Sequence, residues 1–156
     1  DEAIVRNCAF NVSFRRAWTV YDWCRPGTTI IYNQLIQVGD WSAPVIDEST
    51  ALVTRNFGAE LDCKGGLTIE LPSVFDACSE TSIKVRLEAN GEEVIEDGEG
   101  VTLDIDEASG QRIYRGLTQG TYQVIWVVAD ECGNTSELSK EIEVIDQIAP
   151  TCLIDD

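Results

Sequence analysis

The sequence repeats part of itself, and this repeat restricts the fold more than any other feature of the chain. Residues 18–24 (WTVYDWC) match residues 126–132 (WVVADEC), and residues 36–44 (IQVGDWSAP) match residues 142–150 (IEVIDQIAP). The first motif recurs after 108 residues (18 to 126) and the second after 106 (44 to 150), so the first copy has two extra residues between its motifs. Both copies have the pattern of a strand, an Asp-x-Cys turn, a second strand and an Asp-x-x-Ala-Pro boundary. We therefore expect two related β-hairpins.

The repeat interval of just over 100 residues is the size of one immunoglobulin-like domain. It predicts an all-β fold, in which an Ig-like antiparallel β-sandwich at 47–150 follows an N-terminal β-hairpin segment at 1–46 that resembles its last two strands. Residues 151–156 are then the start of a next repeat or a tail. A lone hairpin cannot bury its faces. Either the chain is a slice of a longer array, or strands from a neighbouring subunit complete residues 1–46.

Short β-branched or aromatic runs, bounded by Gly, Asn, Asp or Pro, predict strands along the whole chain. The dipeptide Asn90-Gly91 predicts a tight hairpin turn. Apolar residues nowhere keep a helical period for long enough to predict a helix. The predicted strands are residues 5–20, 29–38, 51–56, 67–71, 83–89, 92–96, 101–105, 111–117, 122–129 and 138–145.

The chain is acidic, with 28 Asp and Glu against 11 Lys and Arg and a formal net charge of −17. Nucleic acid and anionic membrane surfaces are therefore poor partners, since their phosphates would be repelled. The absence of His removes the commonest general base and the commonest transition-metal ligand. No apolar run approaches the roughly 18 residues that a membrane-spanning helix needs. We expect neither a membrane span nor an enzyme.

Six cysteines in a small acidic chain predict disulfides, and disulfides predict an extracellular or cell-surface location. A zinc or iron–sulfur site is the rival interpretation, but the spacings are wide and there is no Cys-x-x-Cys pair. The six are Cys8, Cys24, Cys63, Cys78, Cys132 and Cys152.

Two disulfide pairings are favoured, the first of them by the Ig-like arrangement. The loops that hold Cys78 and Cys132 lie at the same end of such a sandwich, so we expect these two to bridge. Cys8 and Cys24 flank one strand region and are expected to bridge locally. The remaining two pair with each other, or each finds a partner in an adjacent module.

Carboxylates at strand ends and at the Pro boundaries are candidate calcium ligands, because Ca²⁺ takes hard oxygen ligands from loops and linkers. Calcium there would stiffen a junction whose charges otherwise repel one another. No EF-hand loop is present, and a solvated acidic turn explains each residue equally well. Apart from calcium, no cofactor is expected. The candidate ligands are Asp22, Asp40, Asp130 and Asp146.

The four tryptophans divide into two classes. Trp18 and Trp126 hold equivalent strand positions, which predicts that both rings pack in a sandwich core. Trp23 and Trp41 are replaced by polar residues in the second copy, so they are candidates for an interface role, with simple packing as the alternative.

The two copies resemble the tandem HYR-like and Ig-like repeats of large bacterial surface proteins, namely the gliding-type adhesins and extracellular fibres of the Bacteroidetes. Such repeats have a Trp-bearing strand, then Asp-x-Cys-Gly-Asn, a strand ending in Val-x-Asp, and Ala-Pro. The second copy follows this pattern at residues 126–150, while Arg25-Pro26 replaces Gly-Asn after Cys24 in the first. The resemblance implies an extracellular array with an adhesive, stalk or fibre-forming role and no catalytic residues.

We therefore predict a structural repeat or subunit of an extracellular filament or cell-surface adhesin, stabilised by disulfides. It would assemble end to end with other copies of itself, by β-strand complementation or by tandem linkage. The alternative is an extracellular binding module that recognises a glycan or a protein through its loops. An accessory domain of a secreted enzyme is the third interpretation.

Overall fold

The alternation of apolar and polar residues produces an all-β fold of antiparallel sheets in a sandwich-like arrangement. The structure is a computed structural model and describes residues 5–6, 8, 11–57, 64–95 and 100–145. Within those ranges the one helical element is a 3-10 turn at Glu48–Thr50, which Asp47 caps by accepting the N–H of Ser49. The predicted fold class is confirmed.

Thirteen strands are present in the described ranges. In chain order they are β1 (Val5–Arg6), β2 (Val12–Tyr21), β3 (Thr29–Val38), β4 (Val45–Ile46), β5 (Val53–Phe57), β6 (Gly65–Ile69), β7 (Val74–Phe75), β8 (Thr81–Ala89), β9 (Glu92–Glu93), β10 (Thr102–Ile105), β11 (Arg112–Leu117), β12 (Gly120–Asp130) and β13 (Thr135–Val144).

The sandwich consists of two four-stranded sheets with the orders β10-β11-β6-β5 and β13-β12-β8-β9. This is the strand arrangement of the immunoglobulin fold, in which the first sheet corresponds to strands D-E-B-A and the second to G-F-C-C′. Two-residue strands β4 and β7 pair with each other beside it. The remaining sheet, β1-β2-β3, is formed by the N-terminal segment.

The sandwich core lies between the two four-stranded sheets. Alternate residues of β12 point into it, and Trp126 is fully buried with its indole N–H donating to the carbonyl of Glu70 at 2.9 Å. The predicted core role of Trp126 is confirmed. The fully buried side chains around it are Leu67, Ile69, Leu87, Leu117, Val124 and Val128.

The predicted tight turn at Asn90-Gly91 joins β8 to β9. Asn90 has a φ of 54° and Gly91 a φ of 81°, so both central residues have the left-handed conformation that a two-residue hairpin turn requires. Asn and Gly are the residues that adopt it at least cost, which is why this dipeptide predicted the turn correctly.

The internal repeat is visible as two hairpins of the same register. β2 pairs with β3 over ten residue pairs, from Val12 with Val38 to Tyr21 with Thr29. β12 pairs with β13 over ten pairs, from Gly120 with Val144 to Ala129 with Thr135. Every pair of the first hairpin matches a pair of the second at the predicted offsets of 108 and 106 residues, and the two extra residues lie in the turn.

Two strand predictions need correction. The run at 5–20 is not one strand, because a turn in which the N–H of Asn11 donates to the carbonyl of Cys8 separates β1 from β2. The short strands β4 and β7 were not predicted, since two residues are too few to show a period. No helix of the described ranges has the length and hydrophobicity needed to cross a membrane.

Candidate functional site

A disulfide fastens the base of the β2–β3 hairpin to the sandwich. It joins Cys8, just before β2, to Cys132 in the turn between β12 and β13, with the two Cα atoms 5.1 Å apart. The two cysteines are 124 residues apart in sequence, so the bond closes most of the chain into one loop.

The expected disulfide pairing is therefore wrong. Cys132 bonds Cys8 and not Cys78, and Cys8 does not bond Cys24. Cys24 lies in the turn beyond the far end of the ten-residue strand β2, and both it and Cys78 are exposed free thiols. Cys63 and Cys152 lie outside the described residues.

Three Asp-x-Cys turns of the chain share one geometry. In each, the carboxylate accepts the N–H of the cysteine two residues later, which holds the chain in a tight local turn. The distance is 2.9 Å in the first two turns. The three are Asp22 with Cys24, Asp76 with Cys78, and Asp130 with Cys132.

Two of these turns meet the linker that follows β3 and form an acidic cluster. Carboxylate oxygens of Asp40, Asp76 and Asp130 lie within 4.8 Å of one another. Asp40 is 4% exposed and Asp130 is 8% exposed, so two of the three are buried. The cluster lies where the hairpin joins the sandwich.

The structure brings together two of the four predicted calcium ligands, Asp40 and Asp130. Asp22 lies in the hairpin turn, outside the cluster, and Asp146 lies outside the described residues. Asp76 was not predicted as a ligand, although its Asp-x-Cys turn repeats the motif of the other two.

Hydrogen bonds from four segments converge on Asp40. Its N–H donates to the side-chain oxygen of Asn11 at 2.7 Å, and its carbonyl accepts the side-chain amide of Asn134 at 3.3 Å. Its carboxylate accepts the N–H of Ser42 at 3.1 Å and the hydroxyl of Ser79 at 3.3 Å. The base of the hairpin, the linker and both turns are therefore joined at one residue.

Asp130 is held in its ionised form. Desolvation is the largest single effect and raises the pKa of Asp130, but hydrogen bonds from the side chain and backbone of Asn134 and from the N–H groups of Cys132 and Gly133 together lower it below 3.8. A carboxylate that stays charged at neutral pH is a competent cation ligand.

The donor set of the cluster fits a hard divalent cation. It offers three carboxylates from three separate segments, and their oxygens are the hard ligands that such a cation prefers. Ca²⁺ takes six to eight such oxygens in flexible geometry, whereas Mg²⁺ requires near-octahedral ligands. Calcium at Asp40 and Asp130 stays a prediction, and the structure adds Asp76 as the third carboxylate of the cluster.

Within the described ranges, no second sheet covers the apolar face of the β2–β3 hairpin, which is called the uncovered face below. Residues with even numbers in both strands share one face, because cross-strand partners point to the same side of a sheet. The predicted core role of Trp18 is wrong, since its side chain is 49% exposed and no second sheet among the described residues covers it. The apolar members of this face are Val12, Phe14, Trp18, Val20, Ile30, Tyr32, Ile36 and Val38.

The same face of the other hairpin forms part of the sandwich core. Trp126, the counterpart of Trp18, is 0% exposed, and Val128, the counterpart of Val20, is equally buried. Residues of β5, β6 and β11 in the facing sheet pack over Trp126 in the core. Strand β8 pairs along the edge of β12 opposite β13.

Within the part of the chain that the structure describes, the edge of β2 opposite β3 is unpaired along most of its length. Among the described residues, β1 pairs with β2 only at Val12 and Ser13. In the sandwich, β8 pairs with β12 from Tyr122 to Asp130, and the equivalent stretch of the first hairpin is residues 14–22. Residues 14–21 of β2 are therefore unpaired along this edge among the described residues. They correspond to residues of β12 that pair with β8 in the sandwich.

Several positions on the apolar face differ in kind between the hairpins, and Gln34 matches Lys140 while Ile30 matches Ser136. Arg16 stands where β12 has the fully buried Val124. The guanidinium lies over the ring of Trp18, 5.5 Å from its centroid, and the indole N–H of Trp18 donates to the side-chain oxygen of Gln34 at 3.1 Å. The middle of this face is therefore cationic.

Both tryptophans predicted as interface residues are exposed. Trp23 is 91% exposed at the hairpin tip, where it lines a cavity of about 450 Å³ together with Tyr21, Pro26 and Thr28. Trp41 is exposed near the base of the hairpin. Whether either contacts a partner stays a prediction.

Comparison with protein-family models, with curated proteins and with solved structures finds no match to the chain. The resemblance to HYR-like and Ig-like repeats of bacterial surface proteins therefore stays a prediction.

Proposed function

We propose that the chain is a structural unit of an extracellular filament or cell-surface adhesin, joined to its neighbour through the β2–β3 hairpin. The observation that supports this is the equal register of the two hairpins, one of which is buried while the other is uncovered. The hairpin closes a neighbouring sandwich as β12 and β13 close this one. That neighbour is another subunit, or another repeat of the same polypeptide in tandem.

The size of the uncovered face agrees with a protein contact. The exposed parts of its large apolar side chains amount to roughly 500 Å², since an aromatic side chain offers about 150–250 Å². A standard protein interface buries about 800 Å² on each partner, and pairing along the open edge of β2 would add to the total. Apolar patches of this size on a soluble protein mark interaction sites.

The junction between the hairpin and the sandwich is suited to carry tension along the axis of an array. Cys8–Cys132 joins the hairpin covalently to the sandwich, and the hydrogen bonds around Asp40 hold the linker against both turns. Units linked in this way form a continuous rod. We propose calcium at Asp40, Asp76 and Asp130 as a further support of this junction.

Electron microscopy of the native extracellular material tests the proposal. Strands of ten residues at about 3.3 Å each, together with the linker, predict rods with an axial repeat of about 40 Å per unit. Trp18→Glu, on the uncovered face, should abolish the rods, because a carboxylate would be buried in the contact. Thr19→Glu is the matched control, since Thr19 lies on the opposite face of the same exposed strand. Intact rods in the Trp18→Glu material would contradict the proposal.

A second candidate function is ligand binding at the hairpin tip. The cavity beside Trp23 and Tyr21 favours it, since exposed aromatic rings can stack on sugar rings and threonine hydroxyls can hydrogen-bond them. A glycan array compares the unmodified chain with Trp23→Ala, and Trp41→Ala serves as a control outside the cavity. This site would be excluded if the unmodified chain gave no glycan-array signal, or if Trp23→Ala gave the same signal as the unmodified chain.

A further inference from the structure

The sandwich has a cavity of its own, which includes no residue of the hairpin or of the acidic cluster. Because Trp126 points into the core, its neighbour Val127 points to the outer face of the sheet β13-β12-β8-β9. Lys84 and Glu137 pair with Val127 from either side and share that face, as does Arg86 two residues after Lys84. The cavity has a volume of about 500 Å³, which is within the range of small-molecule sites. The charged residues that line it are Lys84, Arg86, Glu93, Arg112 and Glu137.

The protein itself does little to neutralise the three cations of this cavity. Among the described residues, Lys84 and Arg112 form no ion pair with a carboxylate. Arg86 has one long contact, with 3.9 Å between its Nη1 atom and a carboxylate oxygen of Glu88. Cations that gather without counter-charges repel one another, and a bound anion would relieve that repulsion.

Arg86 also has a hydrogen-bond donor that the protein leaves unused. Its Nε atom is buried and has no hydrogen-bond partner among the described residues, which is costly for a polar atom. The side chain as a whole is 42% exposed, so its outer end can rotate and present the Nε–H group to the cavity. A carboxylate that binds side-on accepts from the Nε–H and an Nη–H group together, in a pair of charge-assisted hydrogen bonds.

The charge of the lining selects the kind of anion. Three cations and two carboxylates leave one net positive charge, which matches a single carboxylate. A phosphate would bring a second negative charge, and the two glutamates would repel it. The net charge of −17 of the whole chain matters less here, because charges more than about 8 Å away are largely screened at physiological salt.

The two glutamates also indicate what surrounds the carboxylate in the ligand. Carboxylate oxygens of Glu93 and Glu137 are hydrogen-bond acceptors only, and together they can accept several donors. A sugar acid offers several hydroxyl donors around its carboxylate, whereas the C-terminus of a peptide offers one neighbouring N–H. The lining therefore favours the sugar acid.

We infer that this cavity binds the carboxylate of a singly charged sugar acid of the uronic acid class. Arg86 and Arg112 hold the carboxylate, Lys84 adds a counter-charge, and Glu93 and Glu137 accept the hydroxyl groups. The same chemistry occurs in a free sugar acid and in a uronic acid residue of a polysaccharide. The site is independent of the proposed assembly, since it includes no residue of the β2–β3 hairpin.

The binding experiment titrates the isotope-labelled full chain with small molecules and follows its backbone amide signals by nuclear magnetic resonance. The probes are glucuronate, glucose, N-acetylglycine and inorganic phosphate. Glucuronate should shift amide signals of β8 and β12 and bind at least about tenfold more tightly than the other three probes, which lack either the carboxylate, the hydroxyls or the matching charge. A trisaccharide of uronic acid residues distinguishes the sources: tighter binding than glucuronate indicates a polysaccharide, and equal binding indicates the free acid.

Variants of the lining test the role of each charge. Arg86→Gln should weaken glucuronate binding at least about tenfold, because the carboxylate loses its paired donors. Lys84→Gln changes an exposed side chain and should weaken binding about threefold. Glu137→Gln should strengthen the binding of inorganic phosphate, since the lining then has two net positive charges. Arg115→Gln is the matched control and should change nothing, because Arg115 is on the same strand as Arg112 but outside the cavity.

The amide spectrum of each variant shows whether it keeps the fold, and Lys84→Gln and Glu137→Gln keep the test decisive if Arg86→Gln does not fold. No amide shifts with glucuronate, or equal affinity for glucose, would overturn the site. Unchanged affinity in every folded variant of the lining would also overturn it. Tighter binding of N-acetylglycine than of glucuronate would reject the sugar acid in favour of a peptide terminus, and tighter binding of phosphate would reject the charge match.

Discussion

Trp18 and Trp126 occupy the same position in two hairpins of identical register, yet Trp126 is fully buried and Trp18 is half exposed. Trp18 pairs across the hairpin with Tyr32, and Trp126 pairs with Leu138. Since the local structures agree, the difference in burial comes from the second sheet, which covers one hairpin and not the other. The same sequence motif therefore forms a core in one hairpin and a surface in the other.

This relationship predicts a large contrast in stability between the two tryptophans. Trp126→Ala should lower the free energy of unfolding by about 3–5 kcal/mol, because it removes the largest buried side chain and leaves a cavity. Trp18→Ala should change it by less than about 1 kcal/mol in the isolated chain. Urea denaturation of both variants measures the difference, and similar losses would mean that Trp18 is covered in the isolated chain.

The disulfide predicts a second contrast, between paired and free cysteines. Cys8→Ser should lower the free energy of unfolding by about 4 kcal/mol, because the unfolded chain regains the freedom of a loop of more than 100 residues. Cys24→Ser and Cys78→Ser should each change it by no more than about 0.5 kcal/mol, since both thiols are exposed and unpaired. Peptide mapping without reduction should recover Cys8 linked to Cys132. Recovery of Cys78 linked to Cys132 would contradict the pairing.

The sandwich and the paired hairpins could be predicted because their signals are local. Trp18 and Trp126 lie at the same position in matching strands, and the two-residue difference in offset lies in the hairpin turn, so the register followed from the sequence. Asn90 and Gly91 determine their turn through their own backbone preferences. Each of these features depends on residues that are close together in the chain.

The disulfide and the acidic cluster depend instead on how distant segments meet. Cys8 reaches Cys132 because the linker around Asp40 places the base of the hairpin against that turn, and no spacing in the sequence encodes this approach. Asp76 joins Asp40 and Asp130 for the same reason. Residues that belong to a three-dimensional junction carry no periodic signal.

Calcium should stabilise the chain through the acidic cluster. At ten times its dissociation constant, Ca²⁺ would add about 1.4 kcal/mol and raise the melting temperature by about 3–5 °C. Asp76→Asn should abolish the response by removing a ligand, while Asp22→Asn should preserve it, because Asp22 forms a similar turn outside the cluster. Melting curves in calcium and in chelator measure the effect. If the unmodified chain has the same melting temperature in calcium and in chelator, calcium does not support this junction.

The ionised state of Asp130 predicts a specific dependence of stability on pH. Hydrogen bonds from Asn134 and from the turn lower the folded-state pKa of Asp130 below 3.8 despite desolvation, so the folded chain holds the charged form more strongly than the unfolded chain does. The resulting stability is present above the unfolded-state pKa and is lost as the pH falls through the folded-state pKa. In chelator, the unmodified chain should therefore melt at a higher temperature than Asp130→Asn at pH 6, and this difference should shrink as the pH falls below about 4. Calorimetry across that range measures it, and a difference that stays constant or grows on acidification would show that the charge of Asp130 does not stabilise the fold.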